Sequence, residues 1–407
     1  MSQPTGASIS PRLHGWGTLA VLGALSALGP LSTDMYLPAT PRVTGDLHAS
    51  QAMTQMTISA CIAGLAIGQL IVGPLSDQLG RRRPLLIGIG AYVMLSLACA
   101  AAPTIGLLIA ARLLQGLAGS AGLVISRAIV RDVYGGGRDA ARAYALLMLV
   151  SGIAPAAAPV IGGQLLRITS WRGVLAMLAL VGLVILLGSV TLGETCPPGR
   201  RQVQGLRSAG SVFLGLSRDR AFGGYTLAGA MSSAAIFVYI SASPFVIEKT
   251  YGQSPQMFSL IFAVNSMGII LAGRISATAV RRWGPAPLLR AGLALQLTGA
   301  VGLFAASTIS NVALIWLLVP LLFVVAAVGL VLPNATALAL APHGKIAGAA
   351  SAQLGALQFI VGAALGPLAG VYGSGSALPM SAIMLTCSTA GVITSAVLIP
   401  RRQIPAT

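Results

Sequence analysis

Apolar residues in this chain do not alternate with polar ones but run on in long blocks. Polar residues, Pro and Gly break the sequence into about twelve of them, at roughly 16–40, 51–75, 84–102, 105–130, 139–166, 171–192, 220–247, 255–279, 285–306, 310–340, 345–371 and 376–399. At the helical rise, about 20 residues cross the roughly 30 Å hydrocarbon layer, so each block is long enough to span it. Barrel strands would alternate over about 10 residues instead. The pattern predicts an all-α integral membrane protein with twelve transmembrane helices. Block 310–340 is long and holds Pro320 and Pro333, so its division stays open. The polar opening MSQPTGASISPRLHGWG precedes a run longer than a signal h-region, which predicts an uncleaved first span.

One break is unlike the others. Residues 193–219, GETCPPGRRQVQGLRSAGSVFLGLSRD, are polar, basic and rich in Pro and Gly. They divide the chain into an N-terminal six-helix bundle (1–192), a cytoplasmic linker (193–219) and a C-terminal six-helix bundle (220–407). Two equal halves suggest an internal repeat.

Composition narrows the class. Of 407 residues 56% are hydrophobic and only 8% charged, against roughly a quarter charged in a soluble domain. A water-facing surface cannot be built from so few. The formal net charge is +17, from 25 Lys and Arg against 8 Asp and Glu. These cations sit singly or in short clusters between apolar blocks, which is the placement expected at one membrane face rather than for nucleic acid. With the N-terminus inside, the inner loops and tails collect Arg12, Arg81, Arg82, Arg83, Arg127, Arg131, Arg138, Arg142, Arg200, Arg201, Arg207, Arg218, Arg220, Arg274, Arg281, Arg282, Arg290, Lys345, Arg401 and Arg402. The outer side has Arg42, Arg167, Arg172 and Lys249. The positive-inside rule therefore places both termini in the cytoplasm. Cys61, Cys99 and Cys387 lie in apolar blocks and Cys196 in the linker, with no CxxC, so neither a disulfide framework nor a metal site is expected.

The stretch GPLSDQLGRRRPLLIG, from Gly73 to Gly88, packs an acid, glycines and three arginines between two apolar blocks. Orientation explains Arg81 to Arg83. It does not explain Asp77, because acids contribute little to orientation, nor Gly73 four residues earlier on the same helical face. A glycine at a helix end lets another helix approach, and an acid there can pair with a helix N-terminus or an arginine. The stretch reads as an inner gate latch that forms when one half closes on the other. G-x-x-x-D-x-x-G-R-R (Gly73, Asp77, Gly80, Arg81, Arg82) between spans 2 and 3 of a twelve-span chain resembles the signature loop of the major facilitator superfamily, with Gln78 where the family has arginine. The matching slot between spans 8 and 9 holds RRWGPAP, with Arg281 where the acid would stand.

Span 1 carries LSTDMYLPATP, with Asp34 in its outer part, the only acid expected well inside a span. A carboxylate in the bilayer costs several kcal/mol unless paired or protonated, so Asp34 is a candidate functional site. The alternative is a span that ends early at Pro38 and Pro41, leaving Asp34 as a solvated helix end. Span 4 carries ARLLQGLAGSAG, with Arg112 at a depth similar to that of Asp34; the two could face one cavity, or Arg112 could snorkel outward. R-x-x-Q-G at Arg112, Gln115 and Gly116 resembles the family's span-4 motif, which is associated with proton transfer. Span 5 has Ala158-Pro159-Val160-Ile161-Gly162-Gly163 where the family's antiporter signature has G-P-x-x-G-G. Ordinary small-residue packing explains Pro159, Gly162 and Gly163 nearly as well.

STDMYLPA in span 1, RDVYGG from Arg131 to Gly136 and ETCPP after span 6 together resemble the bicyclomycin-resistance/CflA family of drug:proton antiporters. The resemblance covers nearly the whole chain. It implies the major facilitator fold and proton-coupled export of small amphiphilic compounds, such as drugs, antibiotics or metabolites, across a bacterial inner membrane. It also implies alternating access by rocking of the halves, no cofactor beyond the proton gradient, and a monomer. On this reading Asp34 takes the proton and Arg112 tunes it. Tyr36, Gln115, Tyr239 and Asn334 are candidates for substrate contact, and Arg131 and Asp132 join the gate. Other polar residues of the second half, Asn265, Gln296, Gln353 and Gln358, are explained by interhelical hydrogen bonds. Two alternatives stay open: a proton-coupled importer of a sugar or peptide and, more distantly, a membrane-embedded enzyme, for which no Asp-rich pair, H-E-x-x-H or Ser/His/Asp arrangement is visible.

Overall fold

The computed structural model describes residues 15–135, 138–201, 215–216, 218–371 and 376–399, with the side chains of 138, 140, 141, 200 and 344–349 excepted. Most of the 193–219 linker, and Arg12, Arg207, Gly136, Arg401 and Arg402, lie outside that set. Among the described residues there are helices and no strand, and twelve spans are long and apolar enough to cross a membrane.

The first half holds α1 (Trp16–Asp34), α2 (Thr40–Asp46), α3 (Gln51–Leu79), α4 (Arg82–Ala101), α5 (Ile105–Tyr134), α6 (Arg138–Leu165) and α7 (Trp171–Val190). The second holds α8 (Arg220–Pro244), α9 (Pro255–Trp283), α10 (Pro285–Ser307), α11 (Leu314–Leu340), α12 (Ala347–Leu365) and α13 (Leu378–Leu398). The helix starts follow local chemistry. Hydroxyls of Ser50, Thr104 and Ser254 accept from Met53, Leu107 and Met257 N–H at 3.2, 3.4 and 3.1 Å, and the Asp219 carboxylate caps α8 at Ala221 and Phe222.

The open question about 310–340 is settled as one helix, α11, with Pro320 and Pro333 inside it. Two span ends run further than the apolar blocks suggest. α1 ends at Asp34, where a 3-10 turn (Leu37–Ala39) leads into α2, so the first span reaches Asp46. Pro38 explains the break: it has no N–H to give the carbonyl of Asp34, and its ring crowds that carbonyl. After Pro244 the seventh span continues through a π turn, Phe245–Thr250.

Packing separates the two ends of the molecule. Toward the end holding the α2–α3 connection, one apolar core crosses both halves and joins Met35, Tyr36 and Leu37 to Val238, Tyr239 and Phe262. Toward the arginine-rich end there are two cores, one within the first half (Leu25, Ile89, Ile125) and one within the second (Phe222, Leu293, Val331). The halves are thus closed on each other at one end and separate at the other.

Candidate functional site

Asp34 stands at the last residue of α1 and is only 5% exposed, so it is not a solvated helix end. Its carboxylate accepts one side-chain hydrogen bond, from the Thr33 hydroxyl at 2.8 Å, and takes part in no ion pair among the described residues. Tyr36 beside it is fully buried; its hydroxyl accepts from Thr57 at 3.3 Å. Arg112 is fully buried too and does not snorkel. It donates to the Ser32 carbonyl at 2.8 Å and to Gln115 Oε1 at 2.6 Å, and its guanidinium lies 4.9 Å from the Tyr36 ring centre. Arg112 therefore grips the residues on either side of Asp34 rather than its carboxylate. Gln115 passes the chain of bonds on to Ser96 at 2.7 Å. Gly116 is a packing requirement: a Cβ there would run into the Cys61 carbonyl of α3.

In the second half, Tyr239 is buried, takes a hydrogen bond from Asn265 at 3.0 Å and stacks on Phe262. It shares the crossing core with Tyr36 and lies within electrostatic reach of Asp34. Asn334 is elsewhere. It sits in the arginine-rich part of the second half, donating to Ser276 Oγ and the Leu330 carbonyl at 2.7 Å each.

The span-5 residues form a seam between the halves. A Cβ on Gly162 would strike the Met35 carbonyl, one residue past Asp34, and a Cβ on Gly163 would strike Ser259 of α9. The Ser259 hydroxyl lies 2.7 Å from the Pro159 carbonyl, and Gln256 donates to the Gly163 carbonyl at 2.7 Å. These small residues let α6 approach α1 and α9 at once.

At the other end the signature loop builds a charge network. Arg81, 3% exposed, meets Asp77 at 2.6 Å and Asp132 at 2.8 Å. Burial works against its charge, but the two acids outweigh it and hold the guanidinium above its ordinary pKa. Arg131 lies 3.9 Å from each of those acids. Arg82 donates to the Leu192 and Val190 carbonyls at 3.1 and 3.2 Å. Among the described residues the ion-pair partners of Asp77 (Arg81 and Arg131) are both in the first half, so in this state the latch ties that half together rather than bridging to the other. Gly73 is less tight than its motif suggests, since a Cβ there would meet only Val124 at 3.8 Å.

Two acids escaped the sequence reading. Glu194, from ETCPP, accepts from Arg81 N–H at 2.8 Å and Arg82 N–H at 3.2 Å and so caps α4. Burial pushes its carboxyl up, but N–H groups of Cys196, Arg81, Arg82 and Thr195 outweigh this and hold it below the usual carboxylate range. A lone acid opening a basic linker was the available signal. Glu248 lies in the π turn, inside the seventh span, with Oε1 buried and unpartnered and Arg42 of the first half within electrostatic reach. Asp34 is therefore not the only acid within a span.

Between the separated ends of the halves lies a cavity of about 520 Å³, lined by Gln69, Asp77 and Arg127 on one side and Ser351, Gly355 and Phe359 on the other. Tyr36, Gln115, Tyr239 and Asn334 do not line it.

A family model described as Major Facilitator Superfamily matches residues 22–367. The chain is 39% identical over 378 residues to the uncharacterized MFS-type transporter YdgK of Bacillus subtilis, covering 91% of this chain and 92% of that one. It is 29% identical to a bicyclomycin resistance protein homolog of Haemophilus influenzae, covering 92% and 94%. Among solved structures, a bacterial homolog of the human lysosomal transporter Spinster, inward-facing and unoccupied, superposes with a TM-score of 0.72 at 15% identity over 96% of both chains.

Proposed function

Because the chain belongs to the Major Facilitator Superfamily, we propose that it is a proton-coupled antiporter exporting small amphiphilic compounds by alternating access. The family is one of transporters, which sets the membrane-enzyme alternative aside. The arginine-rich end faces the cytoplasm, with both termini inside, as the positive-inside rule predicts, and the bacterial relatives support an inner-membrane location. The similarity to a bicyclomycin resistance protein homolog supports export of drug-like molecules.

One observation carries the coupling. A buried acid with, among the described residues, a single side-chain hydroxyl donor and no ion pair stands where the two halves share a core. With so little to hold a charge, Asp34 crosses the closed packing with its proton and releases it when the halves part and water enters. Arg112 fixes the backbone at Ser32 and the ring of Tyr36, and thereby sets where the carboxyl points. The α6 seam closes the outer end against proton leak. Protonation and substrate favour opposite-facing states, which is exchange.

The test is export of chloramphenicol-type, bicyclomycin-type and lipophilic-cation compounds from expressing cells, with and without a protonophore. Export that collapses with the gradient, and is lost in Asp34→Asn at unchanged protein level, is expected. Full export by Asp34→Asn would overturn the role of Asp34. Gradient-driven accumulation would move the reading to an importer.

A further inference from the structure

The cavity between the separated halves has a lopsided lining. Three arginines, Arg81, Arg127 and Arg131, face it with a single acid, Asp77. Arg81 is consumed by Asp77 and Asp132, and Arg131 lies 3.9 Å from the same two acids. Arg127 has no acid within ion-pair distance among the described residues. It stands one turn before Arg131 on α5, so the two guanidiniums share a face and repel. The wall opposite, on α12, is small and largely apolar: Ala352, Gly355, Ala356 and the ring of Phe359, with Ser351 as its polar residue. A cavity of about 520 Å³ falls within the roughly 300–1,000 Å³ of small-molecule sites.

We infer that this cavity is the inward-open substrate site and that it takes compounds with one anionic group on an apolar body, the anion on Arg127 and the body against Phe359. The inference deepens the efflux reading and rests on it for the direction of movement. Arg127 is exposed to the cavity, and a guanidinium with no carboxylate partner beside a largely apolar wall favours an anion by charge-assisted hydrogen bonding and repels a cation.

Three fluorescent probes with one dansyl body test this on the purified full-length protein: dansylglycine (anionic), dansylamide (neutral) and dansylcadaverine (cationic). Dansylglycine is expected to bind at least tenfold more tightly than dansylamide, and dansylcadaverine more weakly than both. Arg127→Gln should bring dansylglycine down to the dansylamide level and leave dansylamide binding unchanged, which also shows the variant is folded. Arg127→Lys should keep most of the preference. Equal binding of the three probes by the unaltered protein, or equal loss of the anionic and neutral probes in Arg127→Gln, would overturn the inference. Uptake of the same probes into inverted vesicles separates the two readings. A charge preference in binding with no gradient-driven movement of any probe would sink efflux and leave the site standing. Gradient-driven movement with no charge preference would do the reverse.

Discussion

At Gly80 and at Gly284 the chain turns in the same way and does different chemistry. α3 and α9 each begin behind a serine whose hydroxyl accepts from the N–H three residues on, and each runs for 29 residues. Each ends at a glycine in nearly the same conformation, with φ 91° and ψ 167° at Gly80 and φ 74° and ψ 169° at Gly284. That backbone region is open to glycine and almost nothing else. Around Gly80 stand Asp77, Arg81, Asp132 and the Glu194 carboxylate. Around Gly284 a Cβ would meet nothing within 4 Å, and Arg281 and Arg282 are exposed with no ion pair among the described residues. The two turns share a backbone conformation, but among the described residues acids pair with arginines around Gly80 and not around Gly284. The first half is braced at its turn by Arg81 and two acids, whereas the second, among the described residues, has its acid–base contact elsewhere, between His343 and Asp219 at 3.1 Å.

The largest effect should come from the glycines themselves. Gly284→Ala meets backbone strain alone, about 1–3 kcal/mol. Gly80→Ala meets the same strain and also displaces the exposed Glu194 carboxylate from the α4 start, adding up to about 1 kcal/mol. Thermal unfolding in detergent should rank Gly80→Ala below Gly284→Ala, and equal shifts would break the comparison. Next come the arginines. Arg81→Ala strips two acids of their cation at a nearly buried site and should cost about 2–3 kcal/mol, below the value for a fully buried pair because Asp77 is partly exposed. Arg281→Ala, at the exposed equivalent, should stay within about 0.5 kcal/mol. A destabilisation by Arg281→Ala as large as that by Arg81→Ala would mean the second turn has partners of its own.

The spans were legible because hydrocarbon thickness dictates their length, and Asp34, Arg112 and the Gly80 turn were legible because an acid, a buried cation and a glycine cluster are rare in oily sequence. Their partners were not. Arg112 is held by the Ser32 carbonyl, and a backbone group leaves no mark in a residue pattern. Asp132 was legible at the gate through its own motif, but Glu194, which completes the Gly80 network, arrives from a linker end 113 residues away from Arg81. Glu248 was lost through a span end: a π turn carries the seventh span past the point where its apolar block stops. Asn334 shows the converse. An amide after a proline in mid-span looks like a ligand contact, yet its donors are taken by Ser276 and Leu330.

The smallest effect is the sharpest test of the two turns, because it has a sign. Glu194 is held below the usual carboxylate range in the folded protein by the N–H groups it caps. The unfolded chain therefore binds its proton more readily, near the ordinary glutamate value of about 4.3. By linkage its contribution is fully present above that value and is lost as pH falls through the lower folded value. The carboxylate is exposed, so the contribution should be below about 1 kcal/mol. The stability gap between the unaltered protein and Glu194→Gln should be flat from about pH 6 to 8 and shrink below about pH 4. Because the Gly80 penalty includes displacement of that carboxylate, it should shrink over the same acid range. The Gly284 penalty involves no carboxylate and should hold constant. Parallel pH profiles for the two alanine variants would mean that Glu194 does not distinguish the turns, and that Gly80 is needed for its backbone alone.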